Sequence, residues 1–220
     1  MIYVIQCAGS KRPDAGTFRT VHGRSVSFVA RPEQAPPVPG QIYALPDDQS
    51  DQPGQTWRQL LTEMNKKGTF NSPSLLPAGQ LYTPAPYATL VKRFGSDKVF
   101  ILSAGWGLVR SDFLLPTYDI TFANSAEAYK RRGKQQRYAD YNFLPSMPED
   151  IVFLGGKDYL PLFLELTAST SNRRIVFYNS LNAPRADGCE TRLYRTARRT
   201  NWHYELATKL STEGNSHLTR

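Results

Sequence analysis

The stretch Met1-Ile2-Tyr3-Val4-Ile5-Gln6-Cys7-Ala8-Gly9-Ser10-Lys11-Arg12 sets the reading of the chain. Its first half is a continuous apolar run rich in β-branched and aromatic residues, the pattern of a strand buried on both faces, as in a parallel sheet. Its second half is a small-residue turn that carries an amide, a thiol, a hydroxyl and two cations. In open parallel sheets ligands bind beyond the carboxyl ends of the strands, so a polar turn directly after a buried strand marks where function is sought.

Similar runs recur at Val99 to Ser103, Ile151 to Leu154 and Ile175 to Tyr178, each predicted as a further buried strand. Helices are predicted between and after them at Trp57 to Lys66, Tyr87 to Phe94, Ser125 to Tyr141, Tyr159 to Ala168 and Asn201 to Leu210. This alternation implies an α/β fold, a three-layer α/β/α sandwich with a mostly parallel central sheet. From Lys11 to Gly54 the chain is rich in Pro and Gly, with Ala35-Pro36-Pro37-Val38-Pro39-Gly40 at its centre. Such composition resists regular structure and reads as an insertion, 12–55, laid over the core of a single domain spanning 1–220. Within it, Ser25 to Ala30 alternates well enough for an edge strand or hairpin, whereas the polar residues after Gly214 are expected to fray.

With 220 residues, 40% hydrophobic and 21% charged, the chain falls in the ordinary globular class. Nothing approaches the roughly 20 apolar residues of a membrane span, and the start is a strand without signal-peptide character, so a cytoplasmic protein is expected. Cys7 and Cys189 lack CxxC or His-x-His partners, so neither a disulfide framework, a metal nor a cofactor is expected. The net charge of +8 favours a polyanionic partner, since cations placed along phosphates release condensed counterions.

The strand ends supply the candidates. Ser10 and Lys11 suit a phosphate, while Cys7 reads either as a small buried hydrophobe or as a thiol facing the crevice. Ser103-Ala104-Gly105-Trp106-Gly107-Leu108 follows the second strand, and its tryptophan either stacks on a base or caps the core. In Leu114-Leu115-Pro116-Thr117-Tyr118-Asp119-Ile120-Thr121-Phe122 one carboxylate interrupts an apolar segment, so Asp119 is paired, holds a turn or carries chemistry. Gly155-Gly156-Lys157-Asp158-Tyr159 leads into a helix whose N-terminus favours an anion, with Asp158 either capping that helix or acting as substitute for Asp119. Neither GxxxxGK[ST] nor GxGxxG occurs, which speaks against ATP and dinucleotides, and His22, His203 and His217 form no recognisable triad. Asn179, after the fourth strand, carries an amide suited to a base edge. Arg195 to His203 interleaves cations with aromatic rings, and Lys130 to Arg137 reads as an exposed basic helix face.

At Cys7-Ala8-Gly9-Ser10-Lys11, Leu81-Tyr82, Ser103-Ala104-Gly105-Trp106-Gly107-Leu108 and Tyr118-Asp119, over roughly its first half, the chain resembles a bacterial group with these motifs. The group carries a Cys-x-x-x-Lys opening, a Leu-Tyr, a Ser-Ala-x-x-Gly-Leu turn and a Tyr-Asp, and looks related to the uracil-DNA-glycosylase-like fold. The nearest functional analogue is anti-phage DNA glycosylases that excise glucosylated hydroxymethylcytosine. The Gly-Gln-Asp-Pro-Tyr and His-Pro-Ser loops of ordinary uracil-DNA glycosylases are missing, so their catalytic residues are not transferred.

The resemblance implies an enzyme that binds phage DNA, flips out a modified base and hydrolyses its N-glycosidic bond. In that reading Asp119, with Asp158 as substitute, stabilises the oxocarbenium-like sugar. Trp106 and Tyr118 stack near the base within a pocket that includes Cys7, Ser10, Ser103 and Gly105. Gln6 and Asn179 read polar edges, and Lys11 and Lys157 hold phosphates or the leaving base. Arg12, Arg195, Arg198, Arg199, Asn201, Trp202 and His203 grip the backbone. Two rivals stay open: an N-glycosidase or base-exchange enzyme acting on free nucleotides, and a non-catalytic DNA-binding stress-response protein. Oligomeric state is not readable from the sequence.

Overall fold

A computed structural model describes residues 1–67, 75–146 and 148–214. The chain opens with β1 (Ile2–Gln6), β2 (Ser25–Phe28), β3 (Gln41–Ala44) and α1 (Trp57–Lys67). There follow β4 (Leu76–Pro77), α2 (Ala78–Leu81), α3 (Pro86–Phe94), β5 (Val99–Ser103), β6 (Gly107–Arg110), β7 (Leu114–Leu115) and β8 (Tyr141–Asn142). The last third contributes β9 (Ile151–Leu154), α4 (Leu160–Leu166), β10 (Arg174–Tyr178), β11 (Glu190–Leu193) and α5 (Trp202–Glu213).

Seven strands form the central sheet in the order β11-β10-β9-β1-β5-β6-β8. All pairings in it are parallel except β5 with β6. Tyr3 lies beside Val152 in the ladder, so Phe153 projects from the opposite face. Tyr3 stacks on Phe94 of α3 at 4.1 Å between ring centroids, and Phe153 stacks on Phe163 of α4 at 4.6 Å. Helices therefore cover both faces, which is why the four predicted strands read as unbroken apolar runs.

The Pro-rich insertion is ordered. β2 and β3 pair in parallel, and Phe18, Val26, Phe28, Ala30 and Ala44 belong to the same hydrophobic core as β1. The helix expected over Ser125 to Tyr141 does not form; that segment holds one short 3-10 turn, Ala128–Lys130, and ends in β8. Its Ala, Glu, Lys, Gln and Arg are good helix formers but supply no apolar stripe, and tertiary contacts override propensity. Thr121 and Arg131 instead form a parallel bridge, with Thr121 N–H donating to Lys130 O at 2.9 Å. The exposed basic helix face over Lys130 to Arg137 is corrected with it, because Arg132 is buried. The tail after Gly214 lies outside the described residues, and among those residues no helix is long and apolar enough to cross a membrane.

Candidate functional site

From β1 the chain passes to β5 on one side of the sheet, then returns across β1 to β9 on the other. The carboxyl ends of β1 and β9 therefore flank a topological switch point, the place where connections diverge and leave a crevice. Gln6 closes its floor by accepting a hydrogen bond from Gly156 N–H at 2.7 Å. The approach requires Gly155, where a Cβ would sit 2.4 Å from the Phe153 ring.

Two lobes open from this point, of about 290 and 600 Å³, and both are lined by Gln6, Ala123, Ser125, Tyr159 and Asn201. The smaller lobe adds Cys7, Gly9, Lys11, Asp119, Thr121, Lys130 and Tyr204. The backbone at Asp119 is fixed by the insertion: its N–H donates to Phe28 O at 2.8 Å, and it forms a bridge with Val29. In this extended segment Tyr118 and Ile120 point into the core, which turns the Asp119 carboxylate outward. That side chain is 54% exposed and lies 3.1 Å from Lys130 Nζ. It is thus a rim carboxylate with a cationic partner. Lys130 also meets Glu127 at 2.9 Å, and hydrogen bonding to Glu127 and then Asp119 raises its pKa, keeping the ammonium charged.

Behind the lobe lies a web of hydroxyls. The Tyr118 hydroxyl is 2.7 Å from that of Tyr82 and accepts from Ser103 Oγ at 2.8 Å. Cys7 Sγ sits 3.2 Å from the Tyr159 hydroxyl. Burial pushes the Tyr82, Tyr118 and Tyr159 phenols well above their ordinary range, so they remain hydroxyl donors. Lys11 Nζ stands 4.2 Å from the centroid of the Tyr118 ring, and burial lowers its pKa, opposed by Cys7 and Asp119.

Several sequence candidates are structural. Trp106 is fully buried, edge-on to Phe28 with centroids 5.1 Å apart, and takes no part in the crevice. Ser103 is equally buried, and its Oγ accepts from Gly105 N–H and Trp106 N–H at 3.2 and 3.1 Å. Gly105 packs against Tyr118 and Ile120. Tyr118 is in the core and offers only its ring face, beneath Lys11. The turn itself is clamped by two buried arginines: Arg58, which the sequence does not single out, and Arg132, which it places on an exposed basic face. Arg58 donates to Gly105 O and Trp106 O at 3.0 and 3.1 Å, and Arg132 donates to Ala104 O at 2.8 Å.

The larger lobe gathers Gly155, Gly156, Lys157, Asp158, Asn179, Arg199, Asn201, Trp202 and His203. Asn179 lines this lobe, with its Nδ2 donating one hydrogen bond to Arg198 O at 2.9 Å. Asp158 lies 3.6 Å from Lys134 and caps no helix. Trp202 and His203 are buried, and burial pushes the imidazole down to about 4, leaving it neutral at pH 7. Ser10, Arg12, Arg195 and Arg198 are exposed but outside both lobes; Ser10 accepts from Thr83 and Arg12 pairs with Asp14. Of the smaller lobe's residues, Tyr159 stands in the sequence only as the end of the Gly155 to Tyr159 strand-end loop, Lys130 only as part of a basic helix face, and Tyr204, inside the last helix, carries no signal that would have found it. No group of three or more metal-ligating side chains occurs among the described residues. No protein-family model, curated protein or solved structure matches the chain.

Proposed function

We propose that the crevice is the active site of a DNA N-glycosylase related to the uracil-DNA-glycosylase-like group. One observation carries the reading. Cys7, Lys11, Tyr82, Ser103, Tyr118 and Asp119, scattered over more than a hundred positions and drawn from the motifs of the resemblance, converge on the smaller lobe or the hydroxyl web behind it. The net charge of +8, with Lys157 and Arg199 lining the larger lobe, suits a phosphate backbone at the mouth. A nucleotide extruded from DNA enters the crevice, because its glycosidic bond is out of reach within the duplex.

As the C1′–N bond breaks, its electron pair leaves with the base and the sugar gains oxocarbenium character. The Asp119 carboxylate stabilises that charge and accepts a proton from the water that adds to C1′. Lys11 and Lys130 stabilise the departing base or hold the phosphates of the extruded nucleotide. Trp106 is excluded from stacking, so Tyr159 and Tyr204, at the junction and wall of the smaller lobe, are the aromatic residues that contact the flipped group.

The test incubates the protein with unmodified, uracil-containing, hydroxymethylated and glucosylated phage DNA, scoring alkali-labile sites and released base. One modified DNA is expected to be cleaved, with Asp119→Asn slower by about 10²–10³-fold. A folded Asp119→Asn variant that cleaves at the normal rate refutes the assignment. Activity on mononucleotides alone points to the nucleotide N-glycosidase, and tight DNA binding without product points to a binding module.

A further inference from the structure

The smaller lobe presents two amines that differ in the property deciding whether an amine can act as a nucleophile. Lys130 is held between Glu127 and Asp119, which keep its nitrogen protonated and its lone pair occupied. Lys11 makes no ion pair among the described residues and rests over the Tyr118 ring, 4.2 Å from its centroid. Its backbone is fixed by a bridge to Tyr82 and by Arg12 N–H donating to Leu81 O at 2.9 Å. Burial lowers its pKa, which increases the neutral, nucleophilic fraction near neutral pH. The lobe that Lys11 lines is also lined by Asp119, which sets a carboxylate base at its rim.

We propose that Lys11 is a Schiff-base nucleophile that gives the site a second activity, scission of the DNA strand at abasic sites. The proposal rests on the reading of the lobe as the place where the sugar of an extruded nucleotide sits. The Lys11 Nζ lone pair adds to C1′ of the ring-opened aldehyde, and loss of water leaves an iminium. Asp119 then accepts a proton from C2′; the electron pair forms the C2′–C3′ double bond as the C3′–O bond breaks and expels the 5′-phosphorylated downstream strand. Water adds back to the iminium, releasing an unsaturated aldehyde and the free amine.

The experiment uses an oligonucleotide whose abasic site is prepared beforehand, so that base excision by this protein is not needed. Sodium cyanoborohydride supplies hydride to reduce the iminium to a stable secondary amine. A denaturation-resistant protein–DNA adduct and strand nicking are then scored, and the adduct is mapped by peptide sequencing. Wild type and Lys66→Gln, which alters an exposed lysine of α1, are expected to be trapped alike at Lys11. Lys11→Arg keeps the cation but not the nucleophile, so it should bind the oligonucleotide normally while trapping falls about tenfold or more. Absence of a wild-type adduct, equal trapping of Lys11→Arg, or an adduct mapped to another lysine overturns the proposal. Base excision without trapping refutes the lyase alone. Trapping at Lys11 without excision of any base upholds the lyase and refutes the glycosylase reading.

Discussion

Replacing Arg132 by Met tests whether the turn after β5 is held by a buried charge pair. The guanidinium is 3% exposed and meets both oxygens of Asp140, itself 6% exposed, at 2.5 and 3.0 Å. It also donates to Ala104 O at 2.8 Å and to Gln136 O at 3.2 and 3.3 Å, and its plane covers the Tyr138 ring with the charge centre 3.9 Å from the centroid. Methionine fills much of the volume but leaves a buried carboxylate without a counter-charge and two carbonyls without donors. Breaking a buried pair from one side costs about 3–5 kcal/mol, most of it from the charge left behind. Neutralising that charge as well, in Arg132→Met/Asp140→Asn, removes the larger part and leaves the unpaired carbonyls at about 1–3 kcal/mol. Equilibrium guanidinium unfolding followed by tryptophan fluorescence reads both numbers, provided the denaturant slope is the same in all variants. The reasoning fails if the single variant loses less than about 1 kcal/mol, or if the double variant is no more stable than the single one.

Two further outcomes follow from buried groups. His203 titrates near 4 in the fold against its ordinary 6.5, so its stabilising share is complete above pH 6.5 and is lost as pH falls toward 4, about 3 kcal/mol in all. His203→Phe should flatten the stability profile of wild type across that window, and equal slopes in the two proteins would refute the burial argument. Gly107 has φ +87°, and a Cβ there would lie 2.5 Å from Tyr141 O, so Gly107→Ala should cost about 2–5 kcal/mol in unfolding free energy. Gly133→Ala, whose Cβ meets nothing nearer than Gln136 Cβ at 3.9 Å, should stay within about 0.5 kcal/mol of wild type; similar losses in both would show that backbone approach is not the cause.

The four predicted strands were legible because each is buried on both faces and needs no partner to reveal it. β6 was hidden by its glycine start and by the tight turn from Ser103, in which the serine hydroxyl takes the place of ladder bonds. β11 escaped because Glu190–Leu193 is polar at the sheet edge, where only β10 covers it. At the crevice, strand ends pointed to Gln6, Cys7, Lys11 and Lys157, since topology alone delivers them. Lys130 was legible only as part of an exposed basic face, for the opposite reason. It reaches Asp119 through a backbone pairing between Thr121 and the 130–132 segment, and through the anchor of Arg132 beneath the β5 turn. Trp106 shows the limit of composition: an aromatic beside a glycine reads the same in a pocket wall as in a core. Only the packing of Phe28 decides between them.

That packing bears on how the site is held. Phe28 comes from the Pro-rich insertion, covers Trp106, and presents the carbonyl that receives Asp119 N–H at 2.8 Å. The next residue, Val29, continues the pairing with Asp119, and Arg31 N–H donates to Tyr129 O at 2.9 Å, one residue before Lys130. The insertion thus holds the backbone of Asp119 and of Tyr129, the chain neighbour of Lys130, while contributing no residue to either lobe. Two backbone anchors set the distance between carboxylate and ammonium, so a change in the insertion that shifts either one alters the charge presented to the sugar without touching a side chain of the crevice. A segment whose composition suggests a loop laid over the core is, by its hydrogen bonds, the frame that aims the rim carboxylate.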